Sequence, residues 1–306
     1  GASGAKVSPH DKYKTAVVRL PGGQRIDVAT ARLEYYRMPG AFPEVEESTL
    51  KLDLYRRDFT INTMAVALNP HRFGELIDFF GAQRDIREKK IRVLHSLSFV
   101  EDPSRILRAV RFEKRYRFSL GKQTASLVHS AVHAGFLRHI PGRRIFHEMR
   151  QILQEENPVP ILERLQELKV LEAIHPDLVF DGRNREEFSS LRETLLWFRL
   201  LYTHEKIRAW FIYFLAWTES MDSRTVMALG EALGLRREDG EMLLASRERA
   251  RNMMKSLALE AEIRPAQVVG ILEDASLEEL LYAMSRSRAE TFKKIFSAYI
   301  TTWRNY

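Results

Sequence analysis

The chain has 306 residues, 45% of them hydrophobic, no cysteine and a formal net charge of +7. That is apolar material for a real core and too much chain for one small domain, so two or three subdomains are expected and a disordered chain is excluded. The missing cysteines exclude a disulfide framework and thiolate metal sites; no apolar run reaches bilayer length, so no membrane partner is expected.

Taken in chain order, the first elements read as sheet. Gly1-Ala2-Ser3-Gly4-Ala5 lacks the apolar core of a secretory signal and reads as a linker or expression remnant, so the expected location is cytoplasmic. Residues 15–20 are a β-branched run, Pro21-Gly22-Gly23 is a turn signal, and residues 24–30 alternate polar and apolar. Together they predict a β-hairpin. Residues 38–48 carry Pro39, Gly40 and Pro43 and read as a loop. Phe59 to Leu68 reads as a helix, and residues 75–79 and 91–94 as short strands around a helical segment at 83–90.

From Asp102 onward the apolar period changes to that of a helix. Segments are predicted at about 103–117, 122–133, 142–155, 158–169, 186–203, 206–218, 222–233, 237–254, 265–274, 276–286 and 289–303. The expected fold class is α+β: a partial β-sheet head followed by a large all-helical neck, body and tail. A hairpin with one or two short strands makes a poor free-standing domain, so the head reads as incomplete on its N-terminal side. Trp197, Phe198, Trp210, Phe211, Phe214 and Trp217 recur at helical spacing and read as core rather than as a base-stacking platform.

Charge is unevenly spread. Residues 1–150 hold 27 Lys/Arg against 16 Asp/Glu, whereas residues 151–306 hold 21 against 25. Between Arg105 and Arg150 there are 11 basic residues and two acidic ones, Glu113 and Glu148. Such a stretch suits a phosphate backbone, and its bland alternative is a solvated helix surface.

Two dense clusters could carry chemistry. Arg56-Arg57-Asp58-Phe59-Thr60-Ile61-Asn62 places two guanidinium forks beside a carboxylate and an amide. Such forks suit phosphate oxygens, and a carboxylate suits a ribose hydroxyl; the plain alternative is a helix start capped by Asp58. In Glu101-Asp102-Pro103-Ser104-Arg105-Ile106-Leu107-Arg108, Pro103 suits a first helical turn and makes Asp102 a candidate N-cap. Asp102 and Arg105 are three apart and can share a face that Arg108 and Arg111 continue. Adenine and cytosine present an amine beside a ring-nitrogen acceptor, so a carboxylate next to a guanidinium would take them and refuse guanine and uracil, whose order is reversed. The plain alternative is an ordinary cap with an i,i+3 ion pair.

The order of motifs narrows these alternatives. Residues 56–65, RRDFTINTMA, resemble the RRDFTINAMA signature of the class II tRNA nucleotidyltransferase and bacterial poly(A) polymerase family. Residues 101–108 resemble its EDxxRxxR motif, residues 76–85 its linking segment, and residues 26–34 its IDIATARxE stretch. The resemblance covers residues 10–117; the helical remainder is compatible with the family's neck, body and tail but carries no motif of its own. It implies that Arg56, Arg57, Asp58 and Asn62 hold the triphosphate and ribose of the incoming nucleotide. Asp102 and Arg105 would read its base with Glu101 orienting them, and Arg108 and Arg111 would support the pocket.

The implied partners are ATP, possibly CTP, and a tRNA 3′ end. The implied reaction is attack of a 3′-hydroxyl on an α-phosphate assisted by Mg²⁺. The division implied is residues 1–68 for the rest of the head, 69–155 for a nucleotide-reading neck, and 156–306 for a tRNA-binding body and tail. Arg138, Arg143, Arg144 and Arg150 are candidate phosphate contacts, with exposed salt bridges as the alternative for Arg143 and Arg144.

The family's metal-binding GGxVRD and D-x-D segments have no match. Gly22-Gly23 is followed by Gln-Arg-Ile-Asp, and Glu44-Val45-Glu46 is expected on a surface loop. Asp27 is a candidate third carboxylate, and one carboxylate does not hold two divalent ions. The expectation is a fragment that keeps nucleotide and RNA binding with weak or absent catalysis. Similar wording occurs in long bacterial proteins of the A-adding type, in which this unit follows DHH-type phosphoesterase and CBS domains. A poly(A) polymerase of the same family and a helical RNA-binding module without activity are the rival readings. No H-E-x-x-H, P-loop or G-x-G-x-x-G occurs. His10-Asp11 and His147-Glu148 read as surface dipeptides.

Overall fold

The computed structural model describes residues 4–10, 14–35, 44–259 and 264–305. Strands β1 (Lys6–His10), β2 (Thr15–Arg19) and β3 (Arg25–Ala29) form an antiparallel sheet in that order, with Val17 opposite Asp27. The expected hairpin is therefore present. Its turn closes through Gly23 N–H on Leu20 O at 3.0 Å, with Gly23 at φ 79°, where a side chain would be strained. Every residue of β3 is exposed, Ile26 and Val28 included, and the contiguous apolar core begins only at Phe59.

Strand β4 (Arg32–Tyr35) pairs antiparallel with β5 (Glu44–Glu47). This corrects the expected loop over 38–48: ladder pairing makes Glu44-Val45-Glu46 a strand, while residues 38–43 lie outside the described residues. Helix α1 (Leu50–Tyr55) follows, its first turn capped by Thr49.

The helix expected over Phe59–Leu68 is also corrected. Thr60–Asn62 make a single 3₁₀ turn, and β6 (Met64–Val66) pairs antiparallel with β7 (Leu76–Asp78). Tertiary contact overrides the local period here: Phe59 is extended, fully buried and bridged to Val93, and its ring meets Phe112 edge-on at 5.8 Å. Helix α2 (Ala82–Arg87) is capped by the Asp78 carboxylate, which accepts from Ala82 N–H at 2.8 Å and Gln83 N–H at 3.0 Å. Strand β8 (Lys90–Ile91) runs parallel to β9 (Ser119–Leu120), which ties the head to the helices beyond it.

The rest is helical: α3 (Ser98–Glu101), α4 (Arg105–Arg115), α5 (Lys122–His133), α6 (Gly142–Leu153), α7 (Val159–Glu167), α8 (Val170–Ile174), α9 (Gly182–Arg199), α10 (Ala209–Trp217), α11 (Ser223–Ala232), α12 (Arg237–Leu259), α13 (Pro265–Leu272), α14 (Leu277–Arg286) and α15 (Glu290–Thr301). The α+β reading, a small-sheet head followed by a helical body, matches this order. Helices α3 and α8 escaped the periodicity because one turn shows no period. Polar caps set several starts: Asp181 and Asn184 form a capping box on α9, Ser276 and Glu279 one on α14, and Asp222 caps α11.

Helix α10 is the hub of the core. Phe211 through Trp217 are all buried, and α6, α9 and α14 pack around them. Phe188 meets Phe180 at 5.2 Å and Tyr213 at 4.8 Å, and the Trp217 indole N–H donates to Val179 O at 2.7 Å. The aromatic run is thus core, as its spacing indicates, with Trp197 and Trp210 half-buried at its edge.

Helix α6 starts against the end of α11. A Cβ on Gly142 would sit 2.1 Å from Ala232 O and 2.7 Å from the Leu233 carbonyl carbon, both backbone atoms. Gly142→Ala should therefore cost roughly 1–3 kcal/mol through forced separation of the two helices. Gly182→Ala, at a first turn with open space around it, should stay within about 0.5 kcal/mol of the parent. Urea unfolding midpoints of the two variants check the contrast.

Candidate functional site

Two carboxylates and a set of arginines converge where the head meets α4 and α6. The turn at Asp58 follows from local chemistry. Asp58 Oδ1 accepts from Phe59 N–H at 2.9 Å and Asn62 Nδ2 at 2.8 Å, which winds residues 58–62 into a tight loop rather than an α-helix. Asp58 Oδ2 accepts from Arg108 Nε at 2.7 Å, and Arg108 Nη2 stands 2.6 Å from the same oxygen. The Asp58 carboxylate thus accepts three hydrogen bonds from protein donors and is paired with the Arg108 charge.

Arg56 and Arg57 are gathered by Asp53, one turn earlier on α1. Asp53 Oδ1 lies 2.8 Å from Arg56 Nη2, and Asp53 Oδ2 lies 3.5 Å from Arg57 Nη2. Burial pushes the Asp53 carboxyl up. The Arg56 hydrogen bond, the Arg32 N–H and the charges of Arg56 and Arg57 outweigh it and hold the group below the usual carboxylate range. The Arg57 side chain is 44% exposed and also donates to Asn62 O at 3.1 Å.

The second wall lies at the break between α3 and α4. Ser104, not Asp102, is the residue preceding α4, which corrects the expected N-cap. Asp102 closes α3, and its Oδ1 accepts from Ser104 N–H at 3.1 Å and Ser104 Oγ at 2.5 Å. Its Oδ2 accepts from Arg144 Nη2 at 2.7 Å and stands 4.0 Å from Arg105 Nε. The Arg105 guanidinium is anchored by donation to Ser98 Oγ and Arg56 O, both at 2.9 Å. Asp102 and Arg105 therefore lie side by side, carboxylate next to guanidinium. Glu101 faces elsewhere: its carboxylate pairs with His95 at 3.5 Å. Burial pushes His95 below its ordinary value, and the nearby Arg105 charge adds to that against the pull of Glu101.

Arg108 and Arg111 share Glu148 of α6, at 3.5 Å and 3.9 Å, and Arg111 also approaches Glu155 at 3.8 Å. Glu148 is only 7% exposed, which corrects its reading as a surface residue, and His147 beside it is exposed. The dipeptide misled because burial of Glu148 depends on arginines some 40 residues away. Asp53, Ser98 and Ser104 were likewise missed. The spacing of Asp53 from Arg56 and Arg57, i,i+3 and i,i+4, was the available signal.

The candidate phosphate contacts separate into classes. Arg138 is exposed, and Arg143 is exposed with Nε 3.3 Å from Gly234 O. Arg144 points inward to Asp102, and Arg150 is half-buried with its Nε lacking a hydrogen-bond partner. Asp27 lies on exposed β3, held by Arg25 at 2.7 Å. Among the described residues no three His, Asp or Glu side chains gather to hold a metal ion. Among those residues, too, no helix is long and apolar enough to cross a membrane.

The Asp53 shift has a pH consequence. A carboxyl whose folded value is depressed contributes stability in full above its unfolded value, about 4, and loses it as pH falls through the folded value below that. Asp53→Asn should flatten this acid limb and lower stability at pH 7 by roughly 1–2 kcal/mol. Urea midpoints from pH 7 down to pH 3 measure both effects.

Comparison with known proteins gives the family. The sequence profile of the "Poly A polymerase head domain" matches residues 3–92, and that of the "Probable RNA and SrmB- binding site of polymerase A" matches residues 117–180. An A-adding tRNA nucleotidyltransferase of Geobacter sulfurreducens is 43% identical over 305 residues, covering 98% of this chain and 35% of the relative. The chain thus spans about a third of that relative's length. A solved CCA-adding enzyme in an apo form superposes with TM-score 0.81 at 35% identity, over 99% of this chain and 70% of its own. The Thermotoga maritima CCA-adding enzyme complexed with tRNA superposes with TM-score 0.71 at 33% identity, over 98% and 68%. Other solved relatives are complexes with ATP and with CTP. On these matches the chain belongs to the class II tRNA nucleotidyltransferase and poly(A) polymerase family.

Proposed function

We propose that this chain is the nucleotide-reading and RNA-binding part of a template-independent nucleotidyltransferase that adds A or CCA to tRNA 3′ ends. The observation that carries the reading is the Asp102 carboxylate beside the anchored guanidinium of Arg105. An exocyclic amine donates to Asp102, and the ring nitrogen next to it accepts from Arg105. ATP and CTP satisfy both groups, whereas GTP and UTP set carbonyl against carboxylate and leave buried polar atoms unpaired. Arg57, with its side chain 44% exposed, suits the triphosphate. In this reading residues 1–68 belong to the head, 69–155 to the neck, and 156–306 to a body and tail that meet tRNA. Exposed Arg138 and Arg143 suit its phosphates, and a tRNA body is read by shape and backbone.

The chemistry of the family is attack of the RNA 3′-hydroxyl on the α-phosphate with release of pyrophosphate, and Mg²⁺ supplies charge neutralisation where it is bound. The described residues do not fit such an ion: no carboxylate trio gathers, and Asp27 is engaged by Arg25. No metal-dependent step is therefore assigned to them. Their part is to select and orient the nucleotide.

The test is equilibrium binding, which needs no turnover. The parent chain should bind ATP at least about tenfold more tightly than GTP. Asp102→Ala with Arg105→Ala should bring the two affinities together. A double variant that still prefers ATP sinks the base-reading assignment. Parent chain that extends a CC-ended tRNA with ATP but leaves a tRNA lacking CCA untouched would assign A addition over CCA addition.

A further inference from the structure

Arg144 stands out because it resembles a phosphate contact in sequence and behaves as something else in the fold. It is on α6, next to exposed Arg143 and two residues past the Gly142 contact that fixes the start of that helix. Its guanidinium turns inward, with Nη2 2.7 Å from Asp102 Oδ2 and 3.5 Å from Ser104 Oγ. One turn further on, Glu148 faces Arg108. The same face of α6 thus addresses both charged positions of the site on α4 and its approach.

We infer that Arg144 is a positioning residue that sets base choice by holding Asp102 apart from Arg105. This inference rests on the proposed function, and on the following contacts. Ser104 takes both lone pairs of Asp102 Oδ1, so that oxygen is fixed. Oδ2 has two neighbouring cations: Arg144 at 2.7 Å, within hydrogen-bond range, and Arg105 Nε at 4.0 Å, outside it. Arg144 therefore holds Oδ2 and leaves Arg105 one bond length short. Without Arg144, the strongest available partner for Oδ2 is Arg105 itself. The two would close into a direct ion pair, and each would satisfy the other instead of a base. The carboxylate plane would turn, and Oδ2 would no longer stand beside free Arg105 donors as a separate acceptor. Arg144 keeps the acceptor and the donor separate, which is the condition for reading an amine and a ring nitrogen together.

The role differs from that of a phosphate contact in what it controls. A phosphate contact changes RNA affinity uniformly and its salt dependence, with no effect on which nucleotide is chosen. A positioning residue changes the ATP to GTP preference with little effect on RNA affinity.

The experiment measures ATP, GTP and tRNA affinity by titration calorimetry on the full chain and on Arg144→Met, Arg144→Lys and Asp102→Asn, with a thermal melt of each. The expected result is a fall of at least about tenfold in the ATP over GTP preference of Arg144→Met, with tRNA affinity within about twofold of the parent. Arg144→Lys keeps a cation at the same place and should recover part of the preference. If Arg144→Met does not fold, the lysine variant and the parent still decide the question, because a shorter point charge must loosen the preference measurably. An unchanged preference in both variants, alongside a collapsed one in Asp102→Asn, overturns the role of Arg144 and leaves the base-reading assignment standing. A loss of tRNA affinity with preference intact makes Arg144 a phosphate contact and overturns the inference. An unchanged preference in Asp102→Asn removes the base-reading assignment, and the inference falls with it.

Discussion

The site depends on one guanidinium. Arg108 reaches Asp58 in the head at 2.6 Å and Glu148 of α6 at 3.5 Å, joining segments 50 and 40 residues away. From there the charges alternate, through Arg111 and Glu155 to Arg115 at 3.2 Å from Glu155. Burial opposes the charge on Arg108, and Asp58 and Glu148 outweigh it, so the guanidinium sits above its ordinary range. Such a chain of largely buried charges, open to solvent at Arg115, is weak as a source of net stability and strong as a register: an arginine without its acids leaves a poorly compensated charge. Head, α4 and α6 are thereby locked at one relative position, and Asp102 and Arg105 lie on that frame.

The same network changes the meaning of the basic surplus. Counting Arg and Lys between 105 and 150 suggests a broad cationic face. In the fold, Arg105, Arg108, Arg111, Arg115 and Arg144 are bound to protein acceptors, four of them through carboxylates of α6 and its surroundings or of the head. Exposed Arg117, Lys122 and Arg138 form no salt bridge among the described residues. The exposed cations are therefore fewer and more scattered than the sequence suggests, an arrangement that would suit the proposed RNA contact by shape and backbone over a wide surface.

Much of this was legible from the residues. The hairpin, the α10 core and most of the helix order follow from turn chemistry and apolar period. Residues 56–65 and 101–108 stand out in the sequence through their motif order, and the fold brings them together. Three kinds of feature escaped. Phe59–Leu68 reads as a helix but is pulled into an extended bridge and a short ladder by tertiary contact, which local period does not encode. Glu148 reads as surface because its partners come from distant segments. Asp58 reads as a ribose acceptor, and in the fold it already accepts from Phe59, Asn62 and Arg108. Residue spacing names that carboxylate but not these partners, one of which comes from 50 residues away.

The proposed reading of the base edge by Asp102 and Arg105 together is best tested by a crystal structure of this chain with ATP bound. Adenine N6 should lie within about 3 Å of Asp102 Oδ2, adenine N1 within about 3 Å of an Arg105 nitrogen, and Arg144 should still hold Asp102. An ordered adenine whose N6 and N1 meet neither residue would contradict it.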